Sequence, residues 1–248
     1  MVRRVAVVGA SGHVGGLVSG ALARAGHDVV AVSRAAGVDV HAGTGLDAAL
    51  AGADVVVDVL SSAARTADDA VAFFGTTTRH LLAAGARAGV RHHVVLSVVG
   101  LERDRRVAHY AGKREQERLV ESGPVPYSVV RATQFHDYPA MVADRALAAG
   151  VARVPPLLLQ PVDAREVAQL LADVAGAEPL GGRVDIAGPR TEHLVDMARR
   201  TWAAQGRTDR VEPGPLDPSV AGDAMLAGPG ARLGTVTFDE WLAADAVR

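Results

Sequence analysis

Three glycines at three-residue intervals are the first residues whose spacing can do chemistry. Gly9, Gly12 and Gly15 follow the apolar run Val5-Ala6-Val7-Val8 and open a helical pattern that runs to about Arg24 and closes at Gly26. A second apolar run, Val29-Val30-Ala31-Val32, ends at Ser33 and Arg34. Strand, glycine turn, helix and strand make one βαβ unit. In such a unit Gly9 turns the chain off the strand, Gly12 leaves the backbone bare for a pyrophosphate, and Gly15 lets the helix pack on the sheet. Ser11, His13 and Val14 complete the turn, whose free N–H groups face the phosphates while the helix dipole favours their charge. The plain alternative is a glycine-rich turn with no ligand.

The end of the second strand distinguishes the two dinucleotides. An Asp or Glu there binds the ribose 2′-hydroxyl of NAD, and an Arg nearby suits the 2′-phosphate of NADP. No acid lies between Val29 and Val38; Ser33 and Arg34 hold the place. A guanidinium grips a phosphate bidentately, so NADP(H) is expected ahead of NAD(H), against the alternative that Arg34 is a solvated surface arginine. Asp39, after a short strand at residues 38–40, either hydrogen-bonds an adenine edge or caps a turn. Asp54 to Leu60 reads as a third strand lying beside the first, so Leu60 and Ser61 at its end border the cofactor.

The remaining elements must hold this unit. The chain has 248 residues, nearly half of them apolar, with few aromatics and a net charge of −2. Nothing in that balance points to nucleic acid. There is no cysteine, which excludes disulfides and thiolate chemistry and fits a cytoplasmic protein. The chain enters a strand at once, so no signal peptide is expected, and no apolar run reaches the ~20 residues that span a bilayer. A helix is expected over about residues 67–88, a strand from His93 to Val99, an Arg- and Asp-rich loop, a helix over about 109–121 and a strand from Tyr127 to Ala132. Strands that read as continuous apolar runs between helices predict a doubly wound parallel α/β sheet. One domain spans residues 1–248: about 1–135 as cofactor-binding core, about 136–248 as an interleaved smaller lobe covering the strand ends. In that lobe helices are expected from Asp137 to Ala149, Asp163 to Val174, Thr191 to about Gln205 and after Thr237. A Pro- and Gly-rich loop is expected over 213–230.

Gly9-Ala10-Ser11-Gly12-His13-Val14-Gly15, Ser97 at the end of strand four, the helix start from His109 to Lys113, Val125-Pro126-Tyr127-Ser128-Val129-Val130-Arg131 and the closing Thr237 to Leu242 occur in order. With them the chain resembles the atypical short-chain dehydrogenase/reductases, in particular the NmrA-like, NAD(P)H-binding branch. The resemblance implies a Rossmann sheet with the nicotinamide near Ser97, Lys113 and the segment after strand five. It also implies a catalytic tyrosine four residues before a lysine that positions the nicotinamide ribose. This chain departs from that pattern: His109 stands four before Lys113, and Tyr110 three before it. Tyr110 as acid, His109 as acid and no protein acid all remain open. Lys113 has a structural alternative, a helix-surface ion pair with Glu117. Ser97 contacts substrate or cofactor, or merely finishes its strand; Ser61 and Ser62 carry the same two readings. Gln134, Phe135 and His136 follow strand five directly and are expected to line the substrate side, with His136 alternatively capping the next helix. No histidine has metal-ligand spacing, so no metal is expected.

The leading expectation is an NADP(H)-dependent oxidoreductase passing hydride to a small carbonyl, enone or quinone-like molecule, as monomer or homodimer. A dinucleotide-sensing regulatory protein without turnover, and an isomerase, epimerase or dehydratase that keeps its cofactor, are the alternatives.

Overall fold

Val5, Ala6, Val7 and Val8 are completely buried, so neither face of the first strand meets water. A parallel strand between two helical layers reads this way, and the computed structural model, which describes residues 1–103 and 107–245, forms that sheet. β1 (Arg4–Val8), α1 (His13–Arg24), β2 (Asp28–Val32), α2 (Leu46–Leu50), β3 (Val55–Asp58), α3 (Ala67–Ala88), β4 (His92–Val98), α4 (Ala108–Glu121) and β5 (Tyr127–Ala132) alternate along the first half. α5 (Tyr138–Ala146), β6 (Leu147–Ala148), β7 (Val151–Val154), β8 (Leu158–Leu159), α6 (Ala164–Gly176), β9 (Gly182–Ala187), β10 (Glu192–His193), α7 (Leu194–Ala204), β11 (Arg210–Pro213), β12 (Arg232–Leu233) and α8 (Phe238–Asp245) follow. Part of the Arg- and Asp-rich loop expected before α4, and the last residues of the closing helix pattern, lie outside the described residues.

The main sheet has the order β12-β9-β5-β4-β3-β1-β2. Its β2-β1-β3-β4 run and its β9-β12 edge are parallel, with Val7 opposite both Ala31 and Val57. This is a Rossmann-type doubly wound α/β fold. The chain steps from β1 outward to β2 and then crosses to β3 on the other side of β1. Such a reversal leaves a crevice outside the C-terminal ends of β1 and β3, where ligands of these sheets bind.

Two compact units make up the chain. The first is Met1–Arg131 with Arg165–Val184, the second Ala132–Ala164 with Asp185–Arg248. The segment 165–184, assigned from sequence to the C-terminal lobe, therefore belongs to the first unit. There, Leu46 and Leu50 of α2 and Leu81, Leu82 and Ala84 of α3 pack with Ala6, Val8, Val32 and Val56 of the sheet. α3 is delimited by its own sequence: Thr66 Oγ1 accepts from the Asp69 N–H at 3.1 Å, and Gly89 ends the helix in the left-handed region at φ 74°. α4 lies very close to α3 at Gly112, where a Cβ would sit 2.3 Å from Phe74 Cδ2 and 2.8 Å from Ala70 O. That approach turns one face of α4 inward, with Tyr110, Lys113, Gln116 and Glu117 all buried.

In the second unit, the helix expected to reach Ala149 stops at Ala146. Ala149 (φ 49°) and Gly150 (φ 78°) turn the chain into the antiparallel pair β6–β7, which β11 extends. The strand expected at residues 38–40 of the first unit is only a bridge between Asp39 and Thr44. α7 begins at Leu194 rather than Thr191, because Glu192 and His193 pair with β8. Thr237 caps α8 as expected: its Oγ1 accepts from the Glu240 N–H at 3.3 Å, and Glu240 Oε2 accepts from the Thr237 N–H at 2.8 Å.

Candidate functional site

At the C-terminal end of β1, Gly9 adopts φ +86°, a left-handed conformation that costs other residues about 1–2 kcal/mol. A Cβ at Gly15 would lie 2.1 Å from Gly9 O and 2.8 Å from Ala10 Cα, so no side chain fits there. At Gly12 a Cβ would meet only Gly9 O, at 3.3 Å. Gly12 is the N-cap of α1 and no side chain caps that helix, while Ser11, Gly12 and His13 are exposed and Val14 is half-buried. The positive end of a twelve-residue helix thus stands open at the reversal point of the sheet. Open helix N–H groups and the dipole behind them make an anion site. A dinucleotide pyrophosphate fits this cradle: at the exposed Gly12 a Cβ would crowd Gly9 O, and at Gly15 no Cβ fits at all.

Beyond β2, Ser33 Oγ accepts from the Ala36 N–H at 3.3 Å and caps a single 3-10 turn that carries the exposed Arg34. Asp39 Oδ1 accepts from the N–H groups of His41 (2.9 Å) and Ala42 (3.0 Å), the turn-capping alternative. Those N–H groups, Ala42 first, hold its carboxyl below the usual carboxylate range.

The exit of β3 carries a feature the sequence did not announce. Asp58 is fully buried, and its Oδ1 accepts from the Leu60 N–H at 2.9 Å. Its Oδ2 accepts from Gln116 Nε2 at 2.9 Å. Gln116 Oε1 in turn accepts from Lys113 Nζ at 2.8 Å, and that ammonium also donates to Leu60 O (3.0 Å) and Leu96 O (2.8 Å). Phe74 presents its ring 4.6 Å from Nζ. Lys113 is only 3 % exposed, which rules out the surface ion pair with Glu117 that sequence allowed. Glu117 is held instead by a bidentate Arg131, through Nε at 2.9 Å and Nη2 at 2.5 Å, and Arg131 also reaches Glu102. Burial lowers the Lys113 pKa to about 8, opposed by the negative charges of Asp58 and Glu117. Ser61, just beyond, is exposed, and Ser62 Oγ accepts from the Ala64 N–H.

Four residues before Lys113, His109 packs edge-on to Phe74 with ring centroids 5.5 Å apart. Burial first, and the Lys113 charge second, lower its pKa to about 4. Both causes favour the neutral imidazole, below the range in which an ordinary histidine titrates. Tyr110 is buried on the inward face of α4. Ser97, next to the end of β4, is 2 % exposed, and its Oγ has no hydrogen-bond partner among the described residues. An unpartnered buried hydroxyl costs about 1–3 kcal/mol.

Gln134, Phe135 and His136 belong to the second unit. Gln134 O accepts from the Val162 N–H and His136 N–H donates to Val162 O, so the segment is bound to residue 162 as an extended bridge around Phe135. His136 does not cap α5; its ring is buried against Phe238 (5.8 Å) and Trp241 (5.7 Å), with Nε2 3.2 Å from Val236 O. Asp58, Gly112, Gln116 and the Glu117–Arg131 pair are the residues that sequence reasoning passed over. The available signal was an acid inside an apolar strand, DVVVDVL, and polar residues spaced three and four apart on α4. Among the described residues no three His, Asp or Glu side chains gather as a metal site, and no helix is long and apolar enough to cross a membrane.

The model of the NmrA-like family matches residues 1–144. No curated protein matches the sequence. Among solved structures, an NADPH-dependent quinone oxidoreductase from Escherichia coli superposes with TM-score 0.73 at 16 % identity, covering 97 % of this chain and 98 % of that one. A Citrobacter triphenylmethane reductase complexed with NADP(H) gives TM-score 0.65 at 17 % identity, covering 85 % and 79 %. A nucleoside-diphosphate-sugar epimerase from Staphylococcus aureus gives 0.68 at 16 %, covering 86 % and 80 %. At these identities the likeness is one of fold.

Proposed function

The chain belongs to the NmrA-like family, and from that premise we propose that it binds a nicotinamide dinucleotide, NADP(H) ahead of NAD(H), and passes hydride to a small carbonyl, enone or quinone-like acceptor. The observation that carries this reading is the uncapped N-terminus of α1 behind Gly9, Gly12 and Gly15, placed where the sheet reverses. Backbone N–H groups there hold the pyrophosphate, and the exposed Arg34 after β2 takes the 2′-phosphate. Ser97 offers its unpartnered hydroxyl as a donor to nicotinamide or substrate. When bound, nicotinamide would supply the hydride, and the protein would supply position. With His109 neutral, the proton comes from Tyr110 or from solvent.

Fluorescence titration with NADPH and NADH tests binding, and NADPH oxidation against quinones, ketones and enones tests turnover. NADPH binding with oxidation by at least one acceptor class, weakened in Tyr110→Phe if that residue is the acid, supports the reading; absence of binding ends it. A second reading, a dinucleotide sensor without turnover, is favoured by one observation: all three Lys113 protons are already engaged by protein acceptors. It is supported by tight NADPH binding with no oxidation across the panel.

A further inference from the structure

Lys113, Gln116, Asp58 and Leu60 form a closed ring of hydrogen bonds. Nζ donates to Gln116 Oε1, Gln116 Nε2 donates to Asp58 Oδ2, the Leu60 N–H donates to Asp58 Oδ1, and Leu60 O accepts from Nζ. Asp58 and Gln116 are completely buried and Lys113 nearly so, while Leu60 is half-buried. Both backbone polar groups of Leu60 are therefore gripped by one internal network. The third Nζ proton goes to Leu96 O, tying the exit of β3 to the end of β4. The ammonium has three protons and three acceptors, with Phe74 beside it.

Leu60 stands at the site. A Cβ at Gly9 would lie 3.4 Å from Val59 O and 3.6 Å from Leu60 Cδ2, so the chain leaving β3 is the wall against which the glycine turn rests. The Val59 N–H donates to Val8 O at 3.1 Å, continuing β3 alongside β1 up to that turn.

We propose that Lys113 is a positioning residue that fixes Leu60, and through it the wall of the phosphate cradle, instead of reaching the nicotinamide ribose. The proposal rests on the dinucleotide reading above. It makes the lysine serve the nucleotide half of the cofactor. A ribose-binding lysine serves the nicotinamide half, and to do so here it must abandon a buried acceptor.

The test compares NADPH with 2′,5′-ADP, which keeps the adenosine half and lacks the nicotinamide ribose, by calorimetry at a temperature where circular dichroism shows each protein folded. Lys113→Met is expected to weaken both ligands by the same factor, about tenfold or 1.4 kcal/mol, and to quicken hydrogen exchange at the Leu60 amide. Loss of NADPH affinity with 2′,5′-ADP unchanged overturns the proposal and restores the ribose role. No loss for either ligand overturns it too, since a lysine that serves folding alone would lower thermal stability without touching affinity. The double variant Lys113→Met/Asp58→Asn removes both buried charges and gives the same comparison if the single variant does not fold. In the wild type, the ¹⁵N resonance of the Lys113 ammonium is expected to keep its shift on saturation with NADPH; a large displacement contradicts the proposal without any variant. A wild type that binds neither ligand removes the dinucleotide reading itself, which separates that failure from this one.

Discussion

Replacing Gly15 and its neighbour Gly16 by alanine sets two chemically identical changes against each other. At Gly15 the new methyl would lie 2.1 Å from Gly9 O, 2.7 Å from Gly9 C and 2.8 Å from Ala10 Cα. All three are backbone atoms of the phosphate turn, so relief of the shortest contact requires α1 and the turn to separate by about 1.5 Å, working from an ordinary carbon contact near 3.5–4 Å. Overpacking of this kind costs about 1–3 kcal/mol, and contacts this short belong at the upper end. At roughly 2–4 °C per kcal/mol for a chain of this size, Gly15→Ala should melt about 6–12 °C lower. Its NADPH Kd should rise at least about tenfold, because the displaced N–H groups are those that face the phosphate. At Gly16 a Cβ meets nothing within 4 Å. Alanine there should gain about 0.5–1 kcal/mol of helix stability and leave binding unchanged. Differential scanning fluorimetry and fluorescence titration read both quantities. Gly15→Ala with wild-type melting and affinity would refute the packing argument, as would equal losses at Gly16.

Other outcomes follow from the same geometry. Arg34→Ala should raise the Kd for NADPH by about tenfold, the worth of a charge-assisted bond, and leave NADH unaffected; equal effects on both would detach Arg34 from the 2′-phosphate. His92 and His109 both have folded pKa values of about 4, chiefly from burial, against 6.5 for an ordinary imidazole. The unfolded chain therefore takes up protons first, so stability is full above about pH 6.5 and falls as the pH drops toward 4. Urea midpoints between pH 7 and 4.5 should show this, with a shallower fall in His109→Gln. Glu117→Gln leaves the buried Arg131 without its bidentate partner and should cost about 3 kcal/mol, while Glu117→Leu/Arg131→Met should recover most of it. A double variant no more stable than the single would contradict that.

The parallel sheet was legible because its strands say one thing at every level. Val5 to Val8, Val55 to Val57 and Val94 to Leu96 are β-branched or aliphatic runs bounded by turn residues, and burial on both faces gives them no competing pattern. α3 was equally plain over residues 67–88, with Gly89 past its end; the Thr66 cap emerged only in the structure. The glycine turn was legible for a different reason: only a bare backbone serves at Gly9 and Gly15. What could not be read was how side chains meet across elements. Lys113 and Glu117, four apart on one helix, looked like partners. The close approach of α4 to α3 at Gly112 buries both and hands them to Asp58, through Gln116, and to Arg131. Periodicity marks such a face as buried but does not choose its partners. His109 is the same lesson in titration, since its lowered pKa comes from Phe74 and Lys113 packed around it. The strands of two to four residues in the second unit are too short to leave a pattern. The return of residues 165–184 to the first unit is a matter of topology that no local signal encodes.

Backbone hydrogen exchange over residues 9–16, measured with and without saturating NADPH, bears most directly on the claim that a dinucleotide phosphate lies on the open end of α1. The expected result is slowed exchange at His13, Val14 and Gly15, larger than anywhere in the second unit. Binding that leaves those amides exchanging as they do in the free protein would contradict it.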